Sequence, residues 1–511
     1  MHKYQIPQII IGVIKTLETA NFEAFLVGGC VRDLLLDRKP KDWDITTNAK
    51  PEQIQAIFPK TVYENKYGTV AIITQSEDPT LKVIEATPYR LESKYSDKRH
   101  PDEVLFTSDL NEDLKRRDFT INAMALKIKN LPTACLSGRQ GQAGEKRKTK
   151  NGEEIEIVDL FGGKEDLKNK IIKTVGKPED RFSEDALRIL RAIRLAAELD
   201  FKISEETLAA IKKQAALLKI IAAERIKDEF VKIIMSDNPK KALETMRETG
   251  VLKFVAPELE EGYGIEQNKA HSFTVWEHNL RSLEHAVSKK WPLEIRIAAL
   301  LHDVAKPATR RWGEKGDWTF YGHDVVGAKM TAKILSKLKF SKKTIDLVSK
   351  LVRYHLFFSD TEKITLSAVR RLVRNVGTEN IWDLMKVRFS DRVGMGRPKE
   401  SPYRLRKYES MIEEAMRAPL SVTSLKLDGK RLMELLKIQP GPKVGQILNI
   451  LFEEVLDEPE KNTEEYLEKR ATELNNLPEK DLSNLAQKAK DKKTELEQAE
   501  IKEIRKKWWV K

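Results

Sequence analysis

The chain has 511 residues with 40% hydrophobic content, too long for one core and apolar enough to build three or four domains. Its 92 basic residues outnumber 79 acidic ones for a net charge of +13, which points to a polyanionic partner, because basic patches gain affinity for nucleic acid by releasing counterions. Two cysteines exclude a disulfide framework and a thiolate zinc site and suit the reducing cytoplasm, and no apolar run approaches membrane-spanning length, so no membrane partner is expected.

In chain order, residues 5 to 20 place Ile9, Ile10, Val13, Ile14 and Leu17 on one face of an amphipathic helix, not a signal peptide. Phe25 to Val27 read as a short buried strand, Gly28-Gly29 as a tight turn that exposes backbone N–H groups, and Val31 to Leu36 as a helix start. With the fixed cationic fork of Arg32, this is a plausible triphosphate site. Asp42 and Asp44 would share one face of a following strand, and two such carboxylates suit Mg²⁺ bridged to nucleotide phosphates. Alone, a Gly-Gly turn or a D-x-D is usually structural; together within one βα unit they are unlike either the Walker or the dinucleotide fingerprint. The string GGCVRDLLLDRKPKDWDITT resembles the signature of the class II tRNA nucleotidyltransferases and their relatives, the bacterial poly(A) polymerases.

Pro51 to Phe58 reads as a short helix, and TVYENKYGTVAIIT and LKVIEATPYR as hairpin-like strands. If the second neighbours the Asp42/Asp44 strand, Glu85 becomes a third metal carboxylate; otherwise it is a carboxylate on a sheet edge. The polar segment Leu91 to Glu112 reads as a mobile loop, and its ESKYSDKRHPDEV is similar to the family's loop needed to add A after C. In DLKRRDFTINAMAL, Arg116 and Arg117 can clamp phosphates, while Asp118 and Asn122 can bond ribose hydroxyls or a backbone turn. RRDFTINAMA resembles a second signature of the family, which implies that Arg117, Asp118 and Asn122 help hold the incoming nucleotide. Residues 130 to 154 read as an exposed insertion, and residues 178 to 259 as mainly helical.

Within RFSEDALRILRAIRLAAELDF, Ser183 is a suitable N-cap, and Leu187, Leu190, Ile193, Leu195 and Ala197 form an apolar face. Glu184, Asp185, Arg188 and Arg191 are spaced to share the opposite face. Cytosine and adenine both present an exocyclic amino donor beside a ring-nitrogen acceptor; an aspartate and an arginine can match that pair and leave uracil and guanine with unpaired polar groups. Each such mismatch costs about 1–3 kcal/mol when buried, enough to select a base without a nucleic-acid template. The stretch is similar to the family's base-selecting motif, which implies Asp185 and Arg188 as base readers, with Glu184 orienting Arg188 and Arg191 nearby. Arg225 and Lys227 on a later helix either support this helix or the RNA, or form an ordinary exposed face.

Six of the eight histidines fall between positions 271 and 355, and His278, His302-Asp303, His323, His355 and Asp391 follow the order H, HD, H, H, D. Imidazoles with carboxylates suit Mn²⁺, Fe²⁺, Ni²⁺ or Mg²⁺ activating a water. The set resembles the HD phosphohydrolase domain, which implies that His278, His302, Asp303 and Asp391 hold one metal while His323 and His355 complete a second. The charged segment from Pro459 onward has weak apolar periodicity and reads as solvated helices, with IRKKWWVK at its end packing on the body or stacking on RNA.

The expected fold is therefore α+β: a nucleotidyltransferase head with a small mixed sheet over 1–175, then all-α regions comprising a neck and body (176–260), an HD domain (261–405) and a helical C-terminal region with a charged tail (406–511). The resemblance implies addition of C, C and A to the 3′ end of tRNA from CTP and ATP. The alternatives are a poly(A) polymerase or A-adding enzyme and, from another class, a metal-dependent HD phosphohydrolase.

Overall fold

The computed structural model describes residues 4–63, 68–92, 104–129, 147–148, 154–267, 272–314, 316–357, 362–417 and 425–510. Residues 93–103, within the segment Leu91–Glu112 expected as a mobile loop, and residues 130–153 apart from 147–148 lie outside the described residues. The chain divides into two compact units, one of residues 1–353 with 390–396, the other of residues 354–389 with 397–511.

The first unit opens with α1 (Gln8–Thr19), β1 (Ala24–Val27), α2 (Gly29–Leu35), β2 (Asp44–Thr47), α3 (Pro51–Ile57), β3 (Thr61–Tyr63), β4 (Val70–Ile73) and β5 (Val83–Pro88). A small pair, β6 (Arg90–Glu92) and β7 (Val104–Phe106), precedes α4 (Leu110–Lys115), and β8 (Met124–Lys129), β9 (Arg147–Lys148), β10 (Glu154–Asp159) and α5 (Gly163–Asn169) complete the head. Its eight-stranded sheet has the order β3-β4-β5-β2-β1-β8-β10-β9. The sheet is mixed, because β2 runs parallel to β5 and antiparallel to β1. This places the strand beginning at Asp44 in the middle, where neighbours on both sides fix its register. Helix α1 buries Ile10, Ile11, Val13, Ile14 and Leu17. Ile11 takes the buried place expected of Ile9, which is only half-buried, because the helix docks with the apolar stripe rotated toward Ile11.

After a short parallel pair, β11 (Ile171–Ile172) with β12 (Lys202–Ile203), the unit is helical. It contains α6 (Pro178–Glu184), α7 (Leu187–Leu199), α8 (Glu205–Gln214), α9 (Ala223–Met235), α10 (Pro239–Glu248), α11 (Leu252–Val255) and α12 (Pro257–Glu260). Then come α13 (Val275–Ser288), α14 (Leu293–Leu301), α15 (Lys306–Thr309), a hairpin of β13 (Arg311–Trp312) and β14 (Trp318–Thr319), α16 (His323–Lys337) and α17 (Lys342–Tyr354). A capping box between Thr274 and Glu277 fixes the start of α13, the first histidine-bearing helix. Among the described residues no helix is long and apolar enough to cross a membrane.

The second unit holds α18 (Leu366–Val376), most of α19 (Ile381–Gly394), α20 (Tyr403–Met416), α21 (Gly429–Leu436), α22 (Pro442–Asp457), α23 (Glu464–Asn475) and α24 (Glu479–Lys507). The tail is not simply solvated: Leu467, Ala471, Leu474, Leu482, Ala486 and Ala489 join a core with Leu432, Ile447 and Leu451. Small alanines at helical spacing make a narrow packing stripe that a search for large apolar residues overlooks.

Candidate functional site

Strand β2 starts at Asp44, and Asp42 lies in the bend before it, outside the strand that was expected to carry both. Trp43 is buried between an exposed Asp42 and a half-buried Asp44. Its indole anchors the bend and turns both carboxylates the other way. Burial pushes the Asp44 carboxyl above the ordinary carboxylate range; Arg117 opposes this, the charge of Asp42 adds to it, and Arg191 opposes it again. A half-buried carboxylate beside a second one suits a divalent cation, which offsets both the burial of the charge and the repulsion between the two. Gly28 closes the other side. Its φ of 75° is a conformation glycine tolerates, and a Cβ there would lie 3.4 Å from Asp44 Oδ2 and 3.1 Å from Arg117 Nη1. In the sheet, Asp44 is the register partner of Glu85, so the two strands are neighbours. Glu85 is exposed, and among the described residues the three carboxylates do not gather their ligand oxygens within 4.8 Å of one another.

The arginines beyond β7 are held by a residue that sequence reasoning missed. Asp113 is fully buried on α4 and accepts Arg116 Nε at 2.9 Å and Nη2 at 2.7 Å on one oxygen, and Arg117 Nη2 at 3.2 Å on the other. Thr46 on β2 donates to the same carboxylate at 3.4 Å. Burial disfavours the charge, but Arg117 and Arg116 outweigh it and hold the carboxyl below its usual range. The signal was present as D-x-x-R-R, since residues three and four apart meet on a helix face. Arg32 reaches Asn122 Oδ1 at 2.9 Å, linking α2 to the 3-10 turn Thr120–Asn122. Asp118 has all four lone-pair directions engaged: Phe119 N at 2.8 Å and Asn122 Nδ2 at 3.3 Å on Oδ1, Arg191 Nε at 2.8 Å and Nη2 at 2.6 Å on Oδ2. Burial works against its charge, yet Arg191 and Arg188 bring its pKa down to about 2.

The stretch read as one helix capped by Ser183 is two. Ser183 lies inside α6, Asp185 is extended at φ −141° and ψ 105°, and α7 begins at Leu187. The break follows from Asp185 itself, whose Oδ1 accepts the Leu187 backbone N–H at 3.0 Å and so takes the capping role. Across the break Glu184 accepts from Arg188 at 2.5 Å, and Arg188 also donates to Arg181 O and Arg116 O, each at 3.2 Å. Arg225 of α9 forks onto Asp185 at 2.7 and 3.3 Å. By this count Asp185 keeps one of four acceptor directions and Arg188 two of five N–H groups for a ligand.

A second constellation lies further along the same unit. His278 on α13 and His302 at the end of α14 are fully buried, with their Nε2 atoms 2.9 Å apart. Asp303 Oδ2 is 3.2 Å and Asp391 Oδ1 3.4 Å from His278 Nε2. His302 Nδ1 faces Ala299 O at 2.9 Å and His323 Nδ1 faces Phe320 O at 2.6 Å, a placement that leaves each Nε2 as the metal-facing atom. His323 Nε2 lies 3.2 Å from Asp303 Oδ1, and Lys306, also missed from sequence, places Nζ 2.5 Å from Asp303 Oδ2. His278, His302 and Asp303 bring one ligand atom each within 4.8 Å of the others, a set that fits a divalent ion. Gly394 permits this: a Cβ there would strike Ser282 Oγ and lie 3.0 Å from His278 O, so only glycine lets α19 bring Asp391 against α13. His355 is buried just beyond the end of α17. His271 lies outside the described residues.

Three family models match the chain: a poly(A) polymerase head domain over 24–173, a probable RNA- and SrmB-binding site of polymerase A over 200–262, and an HD domain over 271–406. A CCA-adding enzyme of Pediococcus pentosaceus is 32% identical over 452 residues, covering 88% of this chain and 93% of that protein. The chain belongs to the CCA-adding enzyme family. The CCA-adding enzyme of Lactobacillus helveticus is 45% identical over 238 residues, an alignment that spans 46% of this chain and 52% of the relative. The crystal structure of the Bacillus stearothermophilus CCA-adding enzyme in complex with CTP superposes with a TM-score of 0.58 at 27% identity, covering 92% of this chain and 98% of that one. The Thermotoga maritima CCA-adding enzyme complexed with tRNA shares the fold at a TM-score of 0.51 and 21% identity.

Proposed function

We propose that this chain adds C, C and A in turn to the 3′ end of tRNA from CTP and ATP, with amino-acid side chains in place of a nucleic-acid template. One observation carries the reading: Arg188, a base reader, donates to the backbone of Arg116 while its neighbour Arg191 pairs with Asp118. The base-reading segment is thereby tied to the arginine turn whose Arg117 lies against Gly28 and near Asp44. In this reading 1–175 is the catalytic head, 176–260 the neck and body, 261–405 the HD domain and 406–511 the C-terminal region and tail.

Mg²⁺ held by Asp42 and Asp44, with Glu85 alongside, would neutralise the triphosphate and make the tRNA 3′-hydroxyl a better nucleophile. The 3′ oxygen bonds to the α-phosphorus as the α–β phosphoanhydride breaks, pyrophosphate leaves and the hydroxyl proton passes to solvent. Gly28 and Gly29 offer backbone N–H groups to the phosphates, with Arg32 and Arg117 as cationic clamps. Asn122, held by Arg32 and Asp118, bonds the ribose; Asp118, with its acceptors engaged, acts by fixing Asn122 and Arg191. Asp185 accepts from the amino group of cytosine or adenine and Arg188 donates to the ring nitrogen, with Glu184 and Arg225 holding them. A reducing compartment, the cytoplasm, suits a chain with two cysteines.

The buried cluster around His302 favours a second, metal-dependent phosphohydrolase activity on 2′,3′-cyclic phosphates or phosphomonoesters. His278, His302, Asp303 and Asp391 would hold one ion of Mn²⁺, Ni²⁺, Fe²⁺ or Mg²⁺, with His323 and His355 completing a second.

The deciding assay offers tRNA lacking its 3′ end with CTP, ATP, or both. Three added residues ending in A support the proposal, a long A tract assigns a poly(A) polymerase, and no incorporation leaves hydrolysis as the activity. Replacing Arg188 by alanine should relax or abolish the choice of CTP and ATP; unchanged rejection of UTP and GTP by that variant overturns base reading at this position.

A further inference from the structure

We propose that Trp509 is a stacking platform for an unstacked base of bound tRNA. The last turn of α24 closes with the N–H of Val510 on Arg505 O at 3.0 Å and that of Trp509 on Lys506 O at 3.0 Å. This hydrogen-bond pattern puts the residue after the C-cap in the left-handed region, where glycine is the usual occupant because it has no Cβ. Here that residue is a tryptophan at φ 49°. Both neighbours are anchored. Trp508 stacks on Trp382 at 5.7 Å and donates its indole N–H to Glu413 at 2.7 Å, and Val510 is buried. Between those anchors the Trp509 ring is turned outward and is 80% exposed. The Trp509 ring is thus left outside the packing made by its neighbours, a large flat apolar surface free to meet a ligand.

The surroundings identify the ligand's chemistry. Lys502, Arg505 and Lys506 on the last turns of α24 are exposed, and residues 501–511 carry five basic side chains against one acidic. An exposed ring beside cations suits a base and its phosphates, because every base offers a π-face and each phosphate a charge. The proposal rests on the reading that tRNA is the substrate.

The test uses the full chain and tRNA lacking its terminal CCA, with affinity, melting temperature and turnover measured. Trp509→Gly should weaken tRNA binding about tenfold while melting at the same or a higher temperature, because the strain is relieved. Trp509→Phe should retain most of the affinity. The salt dependence of binding should be unchanged in Trp509→Gly, whereas Lys506→Ala should lower its slope by about one. Turnover at saturating tRNA should not change. Wild-type affinity in Trp509→Gly overturns the proposal, as does a loss of affinity that only follows a fall in melting temperature. Failure of the unaltered chain to bind or extend tRNA overturns the parent reading, and this one with it.

Discussion

Asp44 and Asp118 show opposite electrostatics. Asp44 is held above its ordinary pKa by burial and by Asp42, so at neutral pH its charge destabilises the fold. Replacing it with asparagine should lower nucleotide addition by about three orders of magnitude or more and leave the melting temperature equal or raised at pH 7. The gain should vanish as pH falls through the raised pKa, where the native carboxyl is already protonated. Because metal and proton compete for the same oxygens, raising Mg²⁺ should move the acid limb of the activity profile to lower pH; a limb insensitive to Mg²⁺ would count against this carboxylate as ligand. Asp118 has the reverse sign. Its pKa is depressed from 3.8 to about 2, so its contribution is present above the ordinary value and lost as pH drops through the depressed one. Asp118→Asn should destabilise the protein by about 2 kcal/mol near neutrality, and unfolding titrations at successively lower pH should show the difference closing below about pH 4.

At the scale of elements, α4 matters less for its length than for one buried carboxylate. Asp113 holds Arg116 and Arg117, and Arg116 O in turn accepts from Arg188, so a six-residue helix orients both Arg117, the proposed phosphate clamp, and Arg188, the proposed base reader. Asp113→Ala leaves two guanidinium groups without their partner and should cost about 3–5 kcal/mol. Asp113→Asn, which preserves shape, should raise KM for both CTP and ATP; a folded variant with unchanged KM would show that Arg117 needs no support. In the HD region α19 passes close to α13 at Gly394. Gly394→Ala forces these helices apart at His278, and bound metal measured by elemental analysis should fall while addition to tRNA persists.

For the whole molecule, the two proposed chemistries draw on separate residues. His302→Ala should abolish metal-dependent hydrolysis of phosphoesters while leaving addition of C and A to tRNA; loss of both activities would join sites that are built here from separate clusters. The described second unit contributes its own core, in which small residues of α23 and α24 pack on α21 and α22.

Local sequence determined much of this protein. The Gly-Gly turn, the paired aspartates and the arginine turn each lie within a few residues, so their chemistry follows from residue type at short intervals, which a sequence displays directly, while the histidines showed themselves by their order along the chain. Only tertiary structure decided the rest. Whether Glu85 neighbours Asp44 depended on which strands pair, and that β2 lies parallel to β5 rests on contacts distant along the chain. The break at Asp185 arose because a side chain outcompeted the helix for a backbone N–H, and Arg225 was drawn from an ordinary helix face onto Asp185, 40 residues away. Patterns of residue type reveal what a group can do; burial and long-range pairing, which no local pattern encodes, settle which partner it does it with.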